Sequence, residues 1–167
     1  MKYGNSVIYL DYNATTPCDP RVVEAMLPFF SRYFGNPASQ VHVLGRRASQ
    51  AVEEAREQVA QLINAQPHEI VFTSGATESN NLAITGVMLA KRPGRRKVVT
   101  TRIEHKSVLE PCLRAHMFEH EVDFLDVDAF GRVDLESAAK VITDETALVS
   151  VQAANNEIGT VQDIAAL

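Results

Sequence analysis

The chain has 167 residues, 46% hydrophobic and 22% charged, with a formal net charge of −5. That is the composition of a soluble globular domain, or of one piece of a larger one, and no apolar run reaches the length needed to span a bilayer. The acidic balance argues against nucleic-acid binding through clustered Lys and Arg, and two isolated cysteines, Cys18 and Cys112, offer no zinc-ligand spacing, so no metal site is expected.

Val7–Leu10 is the first strand candidate, closed by Asp11-Tyr12-Asn13. Asp19-Pro20 has the form of an N-cap with proline at the first helical position, and Val23, Met26, Leu27 and Phe30 follow at helical spacing, with Pro28 placed to kink or end the helix. Gly35–Ser39 is a loop. From Leu44 to Ile63 a longer helix is predicted, with Leu44, Ala48, Ala51, Val52, Ala55, Val59, Leu62 and Ile63 as its apolar stripe. Arg46, Arg47, Glu54, Arg56 and Glu57 are then left to face water. The pattern changes next to a strand at Ile70–Thr73, a helix from Thr77 towards Leu89 and a basic loop at Lys91–Lys97. Further on come a strand at Val98–Thr101, a helix at Ser107–Phe118, a strand at Val122–Leu125, a helix at Leu135–Val141 and a strand at Ala147–Val151. Alternating strands and helices predict an α/β fold, a mainly parallel sheet with helical crossovers. In such sheets ligands lie beyond the carboxyl ends of the strands.

Three polar clusters follow strand ends. At Ser74-Gly75-Ala76-Thr77 a strand turns through glycine into a helix start, where unpaired N–H groups favour an anion; a plain turn with a helix cap is the alternative. His105 could stack on a flat ligand ring or serve as a surface cap, and Glu104 stands next to it as an acid/base partner. Asn155-Asn156-Glu157-Ile158-Gly159 offers amide donors at a strand end, or forms a turn.

In order along the chain stand YLDYNATTP (Tyr9–Pro17), FGNPAS (Phe34–Ser39) with His42, EIVFTSGATESNNLAI (Glu69–Ile84), EHKSVLEPC (Glu104–Cys112) and NNEIGTVQDI (Asn155–Ile164). In these segments and their spacing the chain resembles the cysteine desulfurases of the NifS/IscS type, in the class V aminotransferase group of fold-type I enzymes that use pyridoxal 5′-phosphate (PLP). The resemblance implies that Gly75, Ala76 and Thr77 hold the PLP phosphate, that His105 stacks on the pyridine ring, and that Asn156 bonds the phenolic oxygen. It places Asn13, Ala14 and Thr15 on the substrate side, and the Asn36 loop near the active site or a dimer interface. Residues 1–16 are then an N-terminal segment lining that side, and residues 17–167 the N-terminal part of an incomplete PLP-binding large domain.

The implied reaction removes sulfur from L-cysteine, leaving L-alanine and an enzyme persulfide, in a cytoplasmic homodimer that passes sulfur to a scaffold or acceptor protein. The family's Schiff-base lysine and persulfide cysteine are expected downstream of Leu167, which the resemblance places inside a helix, so the chain alone is expected to be inactive and marginally stable. Lys106, Cys18 and Cys112 are not expected to replace them: Lys106 reads as a surface residue at a helix start, and Cys112 as a small buried hydrophobe. A selenocysteine lyase or another class V aminotransferase, and a non-catalytic fragment or interaction module, are the rival readings.

Overall fold

A computed structural model of the protein describes residues 8–90 and 92–167, divided between Phe72 and Thr73 into two units. In the first unit, Ile8–Leu10 form no strand; Val7 and the rest of residues 1–7 lie outside the described residues. The segment folds back on itself instead of finding a ladder. Ala14 N–H donates to Asp11 O at 3.1 Å, and Tyr9 Oη is hydrogen-bonded to Thr15 Oγ1.

Helix α1 spans Pro20–Ser31, with the Asp19 carboxylate accepting from Arg21 N–H. Pro28 does not stop it: the helix continues to Ser31, and Arg32 N–H donates to Pro28 O at 2.8 Å. The spacing of apolar residues predicted a buried face, yet α1 buries none of its residues, and Phe30 is 73% exposed. Helix α2 spans Val43–Leu62 and is capped by His42, whose Nδ1 accepts from Gly45 N–H at 3.0 Å. It buries Gly45, Ala48 and Ala60, while Leu62 and Ile63, predicted for the apolar stripe, are exposed. Of its predicted water-facing residues, Arg47 stays exposed while its guanidinium lies 3.6 Å over the Tyr33 ring, and Arg56 is half-buried, 5.0 Å over the Phe72 ring.

The Gly35–Ser39 loop is pressed on the start of α2. A side chain at Gly35 would meet Leu44 O at 2.3 Å, and one at Gly45 would meet Ser39 O at 1.8 Å. The predicted strand at Ile70–Thr73 does not form. Ile70 is extended, but its carbonyl accepts from Arg56 Nη1 at 2.5 Å, and the run joins no ladder among the described residues. β-Branched content alone does not supply a partner strand.

The second unit holds helix α3 (Ala76–Leu89), strand β1 (Lys97–Thr101), helix α4 (Lys106–Leu113), strand β2 (Glu121–Leu125), helix α5 (Leu135–Val141) and strand β3 (Thr146–Ser150). The sheet order is β2-β1-β3, and both pairings are parallel. The α/β expectation holds. Lys97, predicted in the basic loop, begins β1 and pairs with Asp123 at 3.0 Å. The helix predicted for Ser107–Phe118 ends as α-helix at Leu113, soon after Pro111, and continues as a 3-10 turn, Ala115–Phe118. Glu119, at φ 59°, closes it. Residues 163–166 form a turn, Ala166 N–H to Asp163 O at 3.2 Å, where a helix was expected.

Successive side chains of β1 point to opposite faces, so each face of the sheet gets its own core. Val98 packs with Ile84, Met88, Val108, Cys112 and Ala115 from α3, α4 and the 3-10 turn. Val99 packs with Leu125 and Ala138 on the side of α5. Covering both faces is what a parallel sheet requires. Among the described residues no helix is long and apolar enough to cross a membrane.

The first unit leaves many large apolar side chains exposed, among them Leu27, Phe30, Phe34 and Leu62, and exposed apolar surface favours association. The chain is expected to self-associate as concentration rises. Light scattering across a dilution series checks this, and a monodisperse monomer at all concentrations would contradict it.

Candidate active site

Each of the three clusters predicted from sequence lies at a carboxyl end of the sheet or at a helix start. Gly75 is the N-cap of α3, followed by Ala76 and Thr77 as its first helical residues. No side chain caps this end, and a side chain at Gly75 would touch nothing. Glu78 reaches back to Ser74, accepting from its N–H and its Oγ–H at 2.6 Å each. Those two bonds, the hydroxyl first, hold the Glu78 carboxyl below its ordinary range. Because Glu78 is engaged with Ser74, the N–H groups of Ala76 and Thr77 remain directed out of the helix end, where an anion is favoured.

His105 is exposed at the N-cap of α4, directly after β1. Its Nδ1 accepts from Ser107 N–H at 3.1 Å and lies 2.8 Å from Ser107 Oγ. An Nδ1 that accepts leaves the proton of the neutral ring on Nε2. Asn80, on α3, donates to the same Ser107 Oγ at 2.8 Å. The first turns of α3 are therefore bonded to the His105 turn through Ser107. Lys106 beside it is exposed.

The third cluster is a hairpin. Asn155 N–H donates to Thr160 O at 2.8 Å, and Ala154 and Val161 form an antiparallel bridge. Gly159 turns the chain at φ 72°, a conformation that suits glycine. Asn155 is buried and Asn156 exposed. The Asn155 side chain accepts from Glu157 N–H and Ile158 N–H at 2.8 and 3.0 Å, and its Nδ2 donates to Ile103 O at 2.8 Å. The pair thus divides its work: Asn155 builds the turn and Asn156 is presented by it.

Sequence reasoning treated Glu104 as a neighbour for His105. The structure turns it elsewhere, into the protein, where it is buried and accepts from Thr101 Oγ1 at 2.9 Å and from Gln152 N–H at 3.1 Å to each carboxylate oxygen. Burial raises its carboxyl above the ordinary 4.5, against the pull of the Gln152 N–H and then the Thr101 hydroxyl. A native carboxyl that holds its proton more tightly than the unfolded one favours folding below pH 4.5. That contribution is lost as pH rises through the raised native value. Glu104→Gln is therefore expected to lose stability relative to wild type at acid pH and to recover it towards neutrality; chemical denaturation of both at pH 4 and pH 7 checks this, and parallel curves would contradict it.

Gln152, Ser107, Asn80 and Asn155 were not singled out for these bonds, and only the asparagine pair carried a sequence signal. Asn13, Ala14 and Thr15 lie in the first unit, in the turn that starts at Asp11. Cys18 is exposed; Cys112 is fully buried, and burial first, with the Glu104 charge second, pushes its thiol up to about 11. A thiol so placed is inert as a nucleophile, in keeping with its role as a core residue.

Residues 8–167 match the aminotransferase class-V family. The chain is 51% identical over 160 residues to the cysteine desulfurase IscS of Methylococcus capsulatus, covering 96% of this chain and 40% of that protein. A solved NifS-like protein superposes with a TM-score of 0.88 at 43% identity, over 95% of this chain and 43% of that one. A structure of SspA in complex with cysteine superposes with a TM-score of 0.85 at 39% identity, over 95% and 45%. The chain spans about 40% of the length of the curated relatives it matches.

Proposed function

Because the chain belongs to the aminotransferase class-V family and shares its fold with NifS-like cysteine desulfurases, we propose that it is the amino-terminal part of a PLP-dependent cysteine desulfurase. The observation that carries this reading is the bonding of α3 and of the Asn155 turn to the segment that follows β1, Asn80 to Ser107 on one side and Asn155 to Ile103 on the other, in a chain half identical to IscS. L-Cysteine is the proposed substrate, supported by the cysteine complex of SspA.

The residues fit the cofactor. Two outward N–H groups, the Thr77 hydroxyl and the open space over Gly75 form a donor set suited to a phosphate. Ser107 pins the His105 ring through Nδ1, which leaves its flat face and its Nε2–H for a stacked pyridine and for proton movement. Asn156, presented by the Asn155 turn, donates to the phenolic oxygen. Asn13, Ala14 and Thr15, within the segment 1–16, line the substrate side, and residues 17–167 belong to the large domain. PLP, when bound, supplies the electron sink for the carbon that carries the substrate amine.

A Schiff-base lysine needs a lowered pKa. Lys97 is held above its ordinary value by Asp123, Lys106 and Lys140 are exposed, and none of the three takes that role. The lysine and the sulfur-accepting cysteine are assigned to the remainder of the length seen in the relatives, as are the cytoplasmic homodimer and the acceptor protein. A chimaera in which these residues replace the matching part of Methylococcus capsulatus IscS is expected to release L-alanine from L-cysteine when supplied with PLP. A folded, PLP-loaded chimaera that leaves cysteine intact would contradict the reading.

A further inference from the structure

We propose that Glu104 is a positioning residue: its buried carboxylate fixes the turn that carries His105 against the segment that carries Asn156. The residue is 6% exposed, at the carboxyl end of the central strand. It takes Thr101 Oγ1–H from its own strand end and Gln152 N–H, to both oxygens, from the chain leaving β3. Around it, Gln152 Nε2 and Asn155 Nδ2 both donate to Ile103 O, at 2.9 and 2.8 Å. Four hydrogen bonds thereby join residues 103–104 to residues 152–155; two of them end on this one carboxylate, which also takes the Thr101 hydroxyl.

His105 follows directly on one side of the clamp and Asn156 directly on the other. A bond that fixes Glu104 to Gln152 therefore fixes the separation of the two functional side chains, although they lie 51 positions apart in sequence. A carboxylate suits this place because it accepts from two elements at once, and hydrogen bonds to an ionised acceptor in a buried site are the stronger kind. An apolar residue would leave the half-buried Gln152 N–H without that partner.

The importance of this separation rests on the cofactor reading, but the clamp itself is testable without PLP. In the 167-residue chain, Glu104→Ala is expected to lower the hydrogen-exchange protection of Gln152 N–H by about tenfold or more, the loss of a charge-assisted bond. The ring resonances of His105 and the side-chain amide of Asn156 are expected to shift in the same variant, while amides of β2 and α5 stay in place. Glu104→Gln, which keeps an acceptor oxygen, is expected to restore most of both effects. Thr101→Val offers a milder cut of the same clamp, with smaller shifts at the same two residues.

Unmoved His105 and Asn156 resonances in Glu104→Ala would overturn the proposal. So would equal loss of protection in β2, α5 and the loops of all three variants, which would make Glu104 a general stability residue. Absence of PLP binding by the wild-type chain, with the clamp effects intact, would remove the cofactor reading and leave the clamp standing.

Discussion

In the chimaera with IscS, His105→Ala is expected to lower the rate of alanine release by about a hundredfold or more, the scale of a lost positioned acid/base group. The loss falls on kcat rather than on KM for cysteine, because the ring is proposed to act on the cofactor and on a proton, not on the substrate carboxylate. His105→Gln keeps a donor and recovers only part of the rate, since the flat face is gone. Steady-state kinetics of both variants, with PLP content measured for each, checks this. A His105→Ala chimaera with full PLP loading and an unchanged kcat would remove His105 from the mechanism. Ser107→Ala gives a graded comparison. It removes the hydroxyl that lies 2.8 Å from Nδ1 but leaves the Ser107 N–H bond, so it is expected to cost less than the loss of the ring.

The second large effect concerns Gly45. Glycine inside a helix ordinarily costs about 0.5–1 kcal/mol against alanine, so replacing it usually stabilises. Here the new methyl would sit 1.8 Å from Ser39 O and 2.8 Å from Ser39 C, both backbone atoms that cannot rotate away. The Gly35–Ser39 loop would have to lift from the start of α2. Overpacking of this kind costs about 1–3 kcal/mol and outweighs the propensity gain. Gly86→Ala, in the middle of α3, is the internal contrast: nothing lies within 4 Å of the added methyl, and a gain of about 0.5–1 kcal/mol is expected. Thermal melts followed by circular dichroism should move in opposite directions for the two variants. A Gly45→Ala protein that melts at or above the wild type would contradict the close approach.

Local chemistry in the sequence was enough to locate most elements. Asp19 and Pro20 start α1 as their capping preferences require, and Leu135–Val141 is helical over its predicted span, with Asp134 accepting from Glu136 and Ser137 N–H. The strands around Val98, Val122 and Leu148 form where short apolar runs suggested them. What failed depended on partners that a single sequence does not name. Ile70–Thr73 has the residues of a strand and no ladder among the described residues, and the apolar residues of α1 have helical spacing and no burial. The early end of α4 did carry a signal in Pro111, which lacks the N–H for the helix ladder.

The site divides in the same way. Gly75, Thr77, His105 and the asparagine pair were visible as polar residues after strands, and family resemblance gave them roles. Which asparagine is buried was not visible, because it depends on Ile103 O, reached across more than fifty positions. The inward turn of Glu104 was equally hidden, since Gln152 N–H is a backbone donor that any residue type except proline supplies. Bonds of this sort exist only once the strands are side by side, and they hold the loops that the sequence merely marks as polar.

The central claim is that Thr77, His105 and Asn156 serve one ligand. Titrating PLP into the labelled 167-residue chain and following its nuclear magnetic resonances tests it most directly. The account predicts that the Ala76 and Thr77 amides, the His105 ring and the Asn156 side-chain amide shift together and saturate along one binding curve. Shifts confined to one of these places, or following separate curves, would contradict it.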